Sequence, residues 1–355
     1  MKALILSGGT GTRLRPFTYS IPKQLVPVAN KPVLLHCLDN VRDMGVTQVG
    51  VIVGSQEDQI RAVVGDGSAL GLDITYIPQH LPLGLAHCVL IARDFLEDDD
   101  FVMYLGDNML VGGVTEAAKM FRAQRPDAGV LVTEVPDPRQ FGVAELDADG
   151  RVTAVVEKPL EPRSNLALIG VYFFTPAIHD AVARLRPSAR GELEITEAIQ
   201  QLVDRGHRVT AQQFTGYWKD TGNVDDLLDC NRVLLDTLRC DSDRADVDAE
   251  SLIVGDVVIE PGATIIASRI EGPVIIGAGS TIRNSRIGPY TAVGRHCELS
   301  GSAVSDSIIL DGASIRDVLD LQGSLIGRWA DVHVGDSHPR HRLLVGDHSQ
   351  IALPA

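Results

Sequence analysis

The stretch 253–299 reads IVGDVVIEPGATIIASRIEGPVIIGAGSTIRNSRIGPYTAVGRHCEL. Aliphatic residues recur in it at Ile253, Ile259 and Ile265, then at Ile270, Ile276 and Ile282, then at Ile287, Val293 and Leu299. The steps run six, six and five, and each set of three lies 17 residues after the last. Glycines sit close by at Gly262, Gly277, Gly279, Gly288 and Gly294. One aliphatic per six residues and three per turn is the pattern of a triangular parallel β-solenoid: one inward side chain fills each face, and small residues make the corners. A β-sandwich with regular turns has no reason to keep a fixed interval over successive turns. The series continues through Val304, Leu310 and Leu321, while Ile315 and Ile326 each sit one residue early. A deformed or capping coil is therefore expected after Leu310.

Working outward, the segment Cys240–Ser251 reads CDSDRADVDAES and is polar, acidic and aperiodic. Residues 241–250 are expected to be a linker, 251–335 the solenoid and 336–355 a polar tail. Residues 1–240 have another texture, in which short apolar runs alternate with helical patterns. Ala3–Leu6, Val49–Val53, Ile74–Ile77, Phe101–Leu105 and Gly129–Thr133 read as strands; Val33–Met44, Gln56–Val64, Leu83–Phe95 and Val114–Gln124 read as the helices between them. Strand, helix, strand at this spacing implies parallel pairing with crossover helices, and runs apolar throughout suit strands covered on both faces. Strands at Val152–Glu157 and Leu168–Phe174 follow, then helices near Glu194–Asp204 and Val224–Leu238. The expected class is α/β, a mostly parallel sheet followed by a parallel β-helix. A chain of 355 residues is long enough for these two domains.

Composition narrows the partners. There are 32 basic and 47 acidic residues, a net charge of −15. So acidic a surface repels phosphate backbones and argues against nucleic acid as a partner. The five cysteines (Cys37, Cys88, Cys230, Cys240, Cys297) form no C-x-x-C pair, which argues against a zinc site or disulfide framework and fits a reducing compartment. No apolar run approaches the ~20 residues of a membrane helix, and Ala3–Leu6 is too short for a signal-peptide core. These features lead to the expectation of a cytoplasmic protein with no membrane partner.

The first strand runs into Gly8-Gly9-Thr10-Gly11-Thr12-Arg13. Glycines let backbone N–H groups approach a polyphosphate, and an arginine adds a fixed positive fork. Leu14 stands where a dinucleotide fingerprint needs glycine, and Thr12-Arg13-Leu14 does not supply the G-K-[ST] of a Walker loop. Lys23, just after Pro22, can return to the same phosphates. Leu105-Gly106-Asp107-Asn108 places a carboxylate at a strand's carboxyl end, where open α/β sheets bind ligands. Gln79 precedes the turn Pro82-Leu83-Gly84-Leu85-Ala86; its amide can donate to a pyrimidine O4 and accept from N3–H, and guanine offers a comparable edge. Asp147-Ala148-Asp149-Gly150 has the wrong spacing for calcium and reads as a hairpin turn. His296 is expected to point outward from the solenoid, and His338, His341 and His348 lie in the tail without a ligand set.

The string G-G-x-G-x-R-L-x-P-x-T followed by P-K-x-L-x-P-V-x-N-K-P, over Gly8–Pro32, resembles the sugar nucleotidyltransferase family, and within it the long branch carrying a C-terminal left-handed β-helix. The resemblance implies a Rossmann-like sheet, Mg²⁺ as cofactor and transfer of dTMP from dTTP to α-D-glucose 1-phosphate with release of pyrophosphate. It makes Arg13, Lys23, Asp107 and Lys158 the catalytic residues. Asp107 and the aspartate of Trp218-Lys219-Asp220-Thr221-Gly222 would be the metal ligands. Leu6, Gly8, Gly9, Gly11, Thr12, Gln24, Gln79 and Gly84 would line the nucleotide. Gly142, Glu157, Leu168 and Tyr172 would line the sugar, with Glu157 accepting from its hydroxyls and Lys158 gripping its phosphate, and Asn108 would also bind substrate. Phe141 stands where the family commonly has tyrosine. Gly191-Glu192-Leu193-Glu194-Ile195-Thr196 reads as a helix start rather than chemistry. Leu83, Leu85 and the Pro22–Leu25 string favour thymine. The rival readings are a mannose-1-phosphate guanylyltransferase or UTP-using relative, an acyltransferase seated in the solenoid, and a non-catalytic regulatory subunit. The solenoid is expected to join copies into a homo-oligomer.

Overall fold

The computed structural model of the protein describes residues 1–9, 11–239 and 246–334. The chain divides into two compact units, residues 1–10 with 33–220, and residues 11–32 with 221–355.

The first unit is built on β1 (Lys2–Ser7), β2 (Gln48–Val53), β3 (Asp73–Pro78), β4 (Phe101–Leu105), β5 (Asn108–Val111), β6 (Ala128–Glu134), β7 (Gly142–Leu146), β8 (Val152–Glu157), β9 (Leu166–Phe174), β10 (Val209–Gln213) and β11 (Tyr217–Asp220). Its helices are α1 (Val33–Asp43), α2 (Glu57–Val64), α3 (Leu85–Ile91), α4 (Arg93–Leu96), α5 (Thr115–Gln124), α6 (Ala177–Ala183) and α7 (Ile195–Asp204). The main sheet runs β8-β7-β9-β4-β1-β2-β3, with β6 paired to β9 and β10 to β6. Parallel pairing holds for β4, β1, β2 and β3. β6, expected as one more parallel strand, does run the same way as β4 and pairs parallel with β10, but β9 lies between β6 and β4, antiparallel to both. Eight of the nine residues of β9 are buried, so it takes the covered place beside β4. An apolar run signals burial on both faces but does not say which strand will lie beside it.

The expected helix Leu83–Phe95 is two helices, broken at Ala92 (φ −88°, ψ 5°). Alanine carries no breaking signal. The core of this unit packs Leu4, Ile52, Phe101, Met103 and Phe174 from the sheet against Val89, Ile178 and Ile199 from the helices. The Asp147–Gly150 turn is a hairpin turn as expected: Asp147 Oδ1 accepts from the Asp149 and Arg151 amides, both at 2.9 Å, between antiparallel β7 and β8.

The second unit holds α8 (Val224–Leu235) and a solenoid of three parallel sheets with six, five and five strands. Inward aliphatics stack as Ile265–Ile282–Leu299–Ile315–Val332. The one-residue slip is real but lies earlier than expected. Val293 pairs with Ile309 after 16 residues, so the shortened corner precedes Leu310 and Ile309 fills the column. Ile309 and Leu310 are both buried and both aliphatic, so the period alone cannot choose between them. Pairing then continues in register to Ile326, with no deformed coil among the described residues. The first solenoid strand, Asp246–Val247, falls inside the stretch read as a linker and pairs with Thr264–Ile265. The tail 336–355, with its three histidines, lies outside the described residues.

A serine series at the same interval ties the coils. The amide of Ser268 donates to Ser251 Oγ (3.0 Å), that of Ser285 to Ser268 Oγ and that of Ser302 to Ser285 Oγ (both 3.1 Å). Asn231 of α8 is fully buried; it accepts from the Ala29 amide and donates to the Tyr290 carbonyl, each at 2.9 Å. It thereby joins the segment after Gly11, the helix and the solenoid, because a buried carboxamide must spend its hydrogen bonds on partners.

Candidate active site

In the first unit one group of the predicted residues collects where β1 and β4 end. The Gly106 amide donates to the Leu6 carbonyl at 2.9 Å, and the chain turns through Asp107 into β5. β5 pairs antiparallel with β11 so that Asp220 faces Asn108. Asp107 precedes Asn108, which puts both predicted metal carboxylates at one end of a four-residue ribbon.

Asn108, 4% exposed, holds this end together. Its Oδ1 accepts from the Trp218 indole at 2.8 Å and its Nδ2 donates to Asp107 Oδ1 at 3.0 Å. An indole N–H only donates, so it fixes which end of the carboxamide faces Asp107. Phe141 packs edge-on against Trp218, ring centroids 5.3 Å apart. Gly170 (φ +76°) leaves room: a Cβ there would sit 3.0 Å from Asn108 Cγ. Gly170→Ala should therefore cost about 1–3 kcal/mol of stability, read from denaturant melts.

A second cluster lies on β7, β8 and α7. Glu157 faces Gly142 across the β7–β8 pair. Its Oε2 accepts from Thr196 Oγ1 at 3.2 Å and its Oε1 from Arg190 at 3.1 Å, with the Lys158 ammonium 3.9 Å away. Burial, and next the neighbouring Glu194, push the Glu157 pKa up against the pull of Lys158, Thr196 and Arg190. Gly142 admits no side chain, since a Cβ would lie 2.7 Å from both Leu168 and Thr196. Leu168 and Tyr172 are 5% and 4% exposed and belong to the core. Burial raises the Tyr172 phenol, which stays protonated. The segment read only as a helix start thus supplies the hydroxyl that holds Glu157, and Arg190, the residue just before it, supplies the guanidinium. Arg190 and Thr196 are 33 and 39 residues from Glu157, so nothing local in sequence links them.

Gln79 follows β3. Its Nε2 lies 3.0 Å from His87 Nδ1 and 3.5 Å from the Gly84 carbonyl, while its Oε1 lies 3.2 Å from where a Cβ on Gly8 would stand. Gly84 (φ +101°) abuts the Leu193 backbone, which a Cβ would meet at 2.5 Å. Gly9 is exposed.

The remaining predicted residues belong to the second unit. Gly11 (φ +59°) has no space for a Cβ, which would lie 2.8 Å from Thr18 and 3.0 Å from Lys23. Thr18 Oγ1 donates to the Gly11 carbonyl at 2.8 Å. Thr12 and Arg13 are exposed, and the Arg13 guanidinium lies against Gly222, 2.8 Å from the place of an added Cβ. Lys23 and Gln24 share one turn and are 6% and 2% exposed. Gln24 Oε1 is buried without a hydrogen-bond partner among the described residues, which suits a ligand donor.

The family profile described as nucleotidyl transferase matches residues 2–237. The chain belongs to the nucleotidyl transferase family. It is 54% identical to a glucose-1-phosphate thymidylyltransferase of Streptomyces griseus over 99% of both chains. It is 46% identical to a low-salt glycan biosynthesis nucleotidyltransferase of Haloferax volcanii, over 99% of this chain and all of that one. A Bacillus anthracis structure described as a glucose-1-phosphate thymidylyltransferase in complex with a sucrose superposes with a TM-score of 0.62 at 34% identity, covering 66% of this chain and 94% of that one.

For a nucleotidyl transferase, the donor set at the β5–β11 end fits Mg²⁺. Among the described residues no three His, Cys, Asp or Glu side chains gather as a cage. Mg²⁺ asks for less, one or two carboxylates with the remaining positions taken by phosphates and water. No helix among the described residues is long and apolar enough to cross a membrane.

Proposed function

We propose that this nucleotidyl transferase moves dTMP from dTTP to α-D-glucose 1-phosphate, giving dTDP-glucose and pyrophosphate. The observation that carries the reading is the 54% identity, over nearly the whole of both chains, with the Streptomyces griseus thymidylyltransferase. The sugar phosphate is already ionised and needs no protein nucleophile; its oxygen attacks the α-phosphorus and pyrophosphate leaves in line. Catalysis is then positioning and charge neutralisation. Glu157 accepts from the sugar hydroxyls over the bare backbone of Gly142, and Lys158 holds the sugar phosphate. Arg13 stabilises the leaving pyrophosphate, and Lys23 sits by the α-phosphate. Asp107 and Asp220 would hold Mg²⁺, which neutralises phosphate charge. Glucose 1-phosphate labelled with ¹⁸O on its phosphate tests the route: all label should stay in dTDP-glucose, and label in pyrophosphate would refute it.

The raised pKa of Glu157 sets a pH dependence. Protonation removes the acceptor, and it begins at a higher pH than for an ordinary glutamate. The KM for glucose 1-phosphate should rise as pH falls through that range, and the Glu157→Gln variant should lack this limb in a KM–pH profile.

We also infer a cytoplasmic homo-oligomer. The four cysteines among the described residues are free and buried, which suits a reducing compartment. The exposed Leu252, Val254, Leu319 and Trp329 of the solenoid support contacts between copies. Light scattering of the purified chain tests the assembly, and a monomer at micromolar concentration would refute it.

A further inference from the structure

Gln79 is an amide with two unlike ends, and which end faces a base decides what it can read. Its Nε2 lies 3.5 Å from the Gly84 carbonyl and 3.0 Å from His87 Nδ1. A carbonyl only accepts, so the NH₂ end is the one turned this way. The imidazole must then offer a lone pair at Nδ1 and carry its proton on Nε2. Burial lowers the His87 pKa and favours this neutral form. What remains is Oε1, which lies over Gly8 at the glycine loop and accepts no hydrogen bond from a described residue.

We propose that His87, through its Nδ1 contact, locks the Gln79 carboxamide with its oxygen toward the base, making the site select bases that present an imino N–H. Thymine and uracil carry that hydrogen on N3. Cytosine carries a lone pair there, which faces Oε1 as acceptor against acceptor. An unlocked amide can turn over and offer NH₂ to cytosine, so the discrimination lives in His87 as much as in Gln79. His87 acts through Gln79 and is a positioning residue. The inference rests on the thymidylyl-transfer reading above.

The test compares kcat/KM for dTTP, dUTP and dCTP with glucose 1-phosphate in the wild type, His87→Leu and His87→Gln. The dTTP/dCTP ratio should fall about tenfold in His87→Leu and recover in His87→Gln, whose carboxamide oxygen can replace the imidazole acceptor. The dTTP/dUTP ratio should not change, since both bases share the imino edge. An unchanged dTTP/dCTP ratio in His87→Leu, an equal loss with both, or no recovery in His87→Gln would overturn the proposal. A measurement on the unaltered protein is independent of any variant's folding: ¹⁵N NMR of the imidazole should show the proton on Nε2, and a proton on Nδ1 would overturn it. A wild type inactive with every triphosphate would instead defeat the thymidylyl-transfer reading itself.

Discussion

Asp107→Ala is expected to lose at least 10²–10³-fold in kcat with the fold intact. Asp107 stands in the turn between β4 and β5, where its carboxylate makes no part of the core. Its Oδ1 takes a hydrogen bond from Asn108, itself held by the Trp218 indole. Removing the carboxylate takes away one of the two proposed Mg²⁺ ligands and leaves this scaffold in place. The variant should melt like the wild type while losing Mn²⁺ binding in an EPR titration. Trp218→Phe should give a milder version: the ring against Phe141 remains, the donor is lost, and the Asn108 amide is free to turn over. Several-fold weaker Mn²⁺ binding is expected, as for other second-layer partners of metal ligands. Tight Mn²⁺ binding by Asp107→Ala would separate the acid from the metal and remove the assignment.

Arg13→Ala should cost a comparable 10²–10³-fold, by a different route. Arg13 is exposed and its guanidinium rests on the bare Cα of Gly222. The role requires a planar fork delivered at a set angle, so Arg13→Lys should rescue little. Gly222→Ala is the sharper probe, because its methyl would stand 2.8 Å from the Arg13 Nη2 and displace the group without removing its charge. Kinetics of both variants should show a fall in kcat larger than the change in KM for glucose 1-phosphate. Near-normal pyrophosphate release from either would take Arg13 out of the reaction.

Features that repeat or sit at strand ends were legible in the sequence. The 17-residue interval was enough for the solenoid, and the serine series at 251, 268, 285 and 302 repeats it independently. The register slip was legible in kind but not in place, since adjacent Ile309 and Leu310 satisfy an apolar pattern equally. Apolar runs located β1–β4 and β6 but not the neighbours of β6, because the later strand β9 inserts between it and β4. The ribbon of β5 and β11 is too short for any periodicity, and only the motif residues Asp107 and Asp220 hinted that its strands meet. Arg190 and Thr196 around Glu157, and His87 beside Gln79, were illegible. Each acts through a contact made only once a turn or helix has closed. For His87 that turn is the one at Gly84, whose left-handed φ against the Leu193 backbone brings residue 87 back onto residue 79.

Pyrophosphate release from each of dTTP, UTP, GTP and ATP, with glucose 1-phosphate and with mannose 1-phosphate, tests the account most directly. The highest kcat/KM is predicted for dTTP with glucose 1-phosphate. Fastest release from GTP with mannose 1-phosphate, or none from any pair in the presence of Mg²⁺, would contradict it.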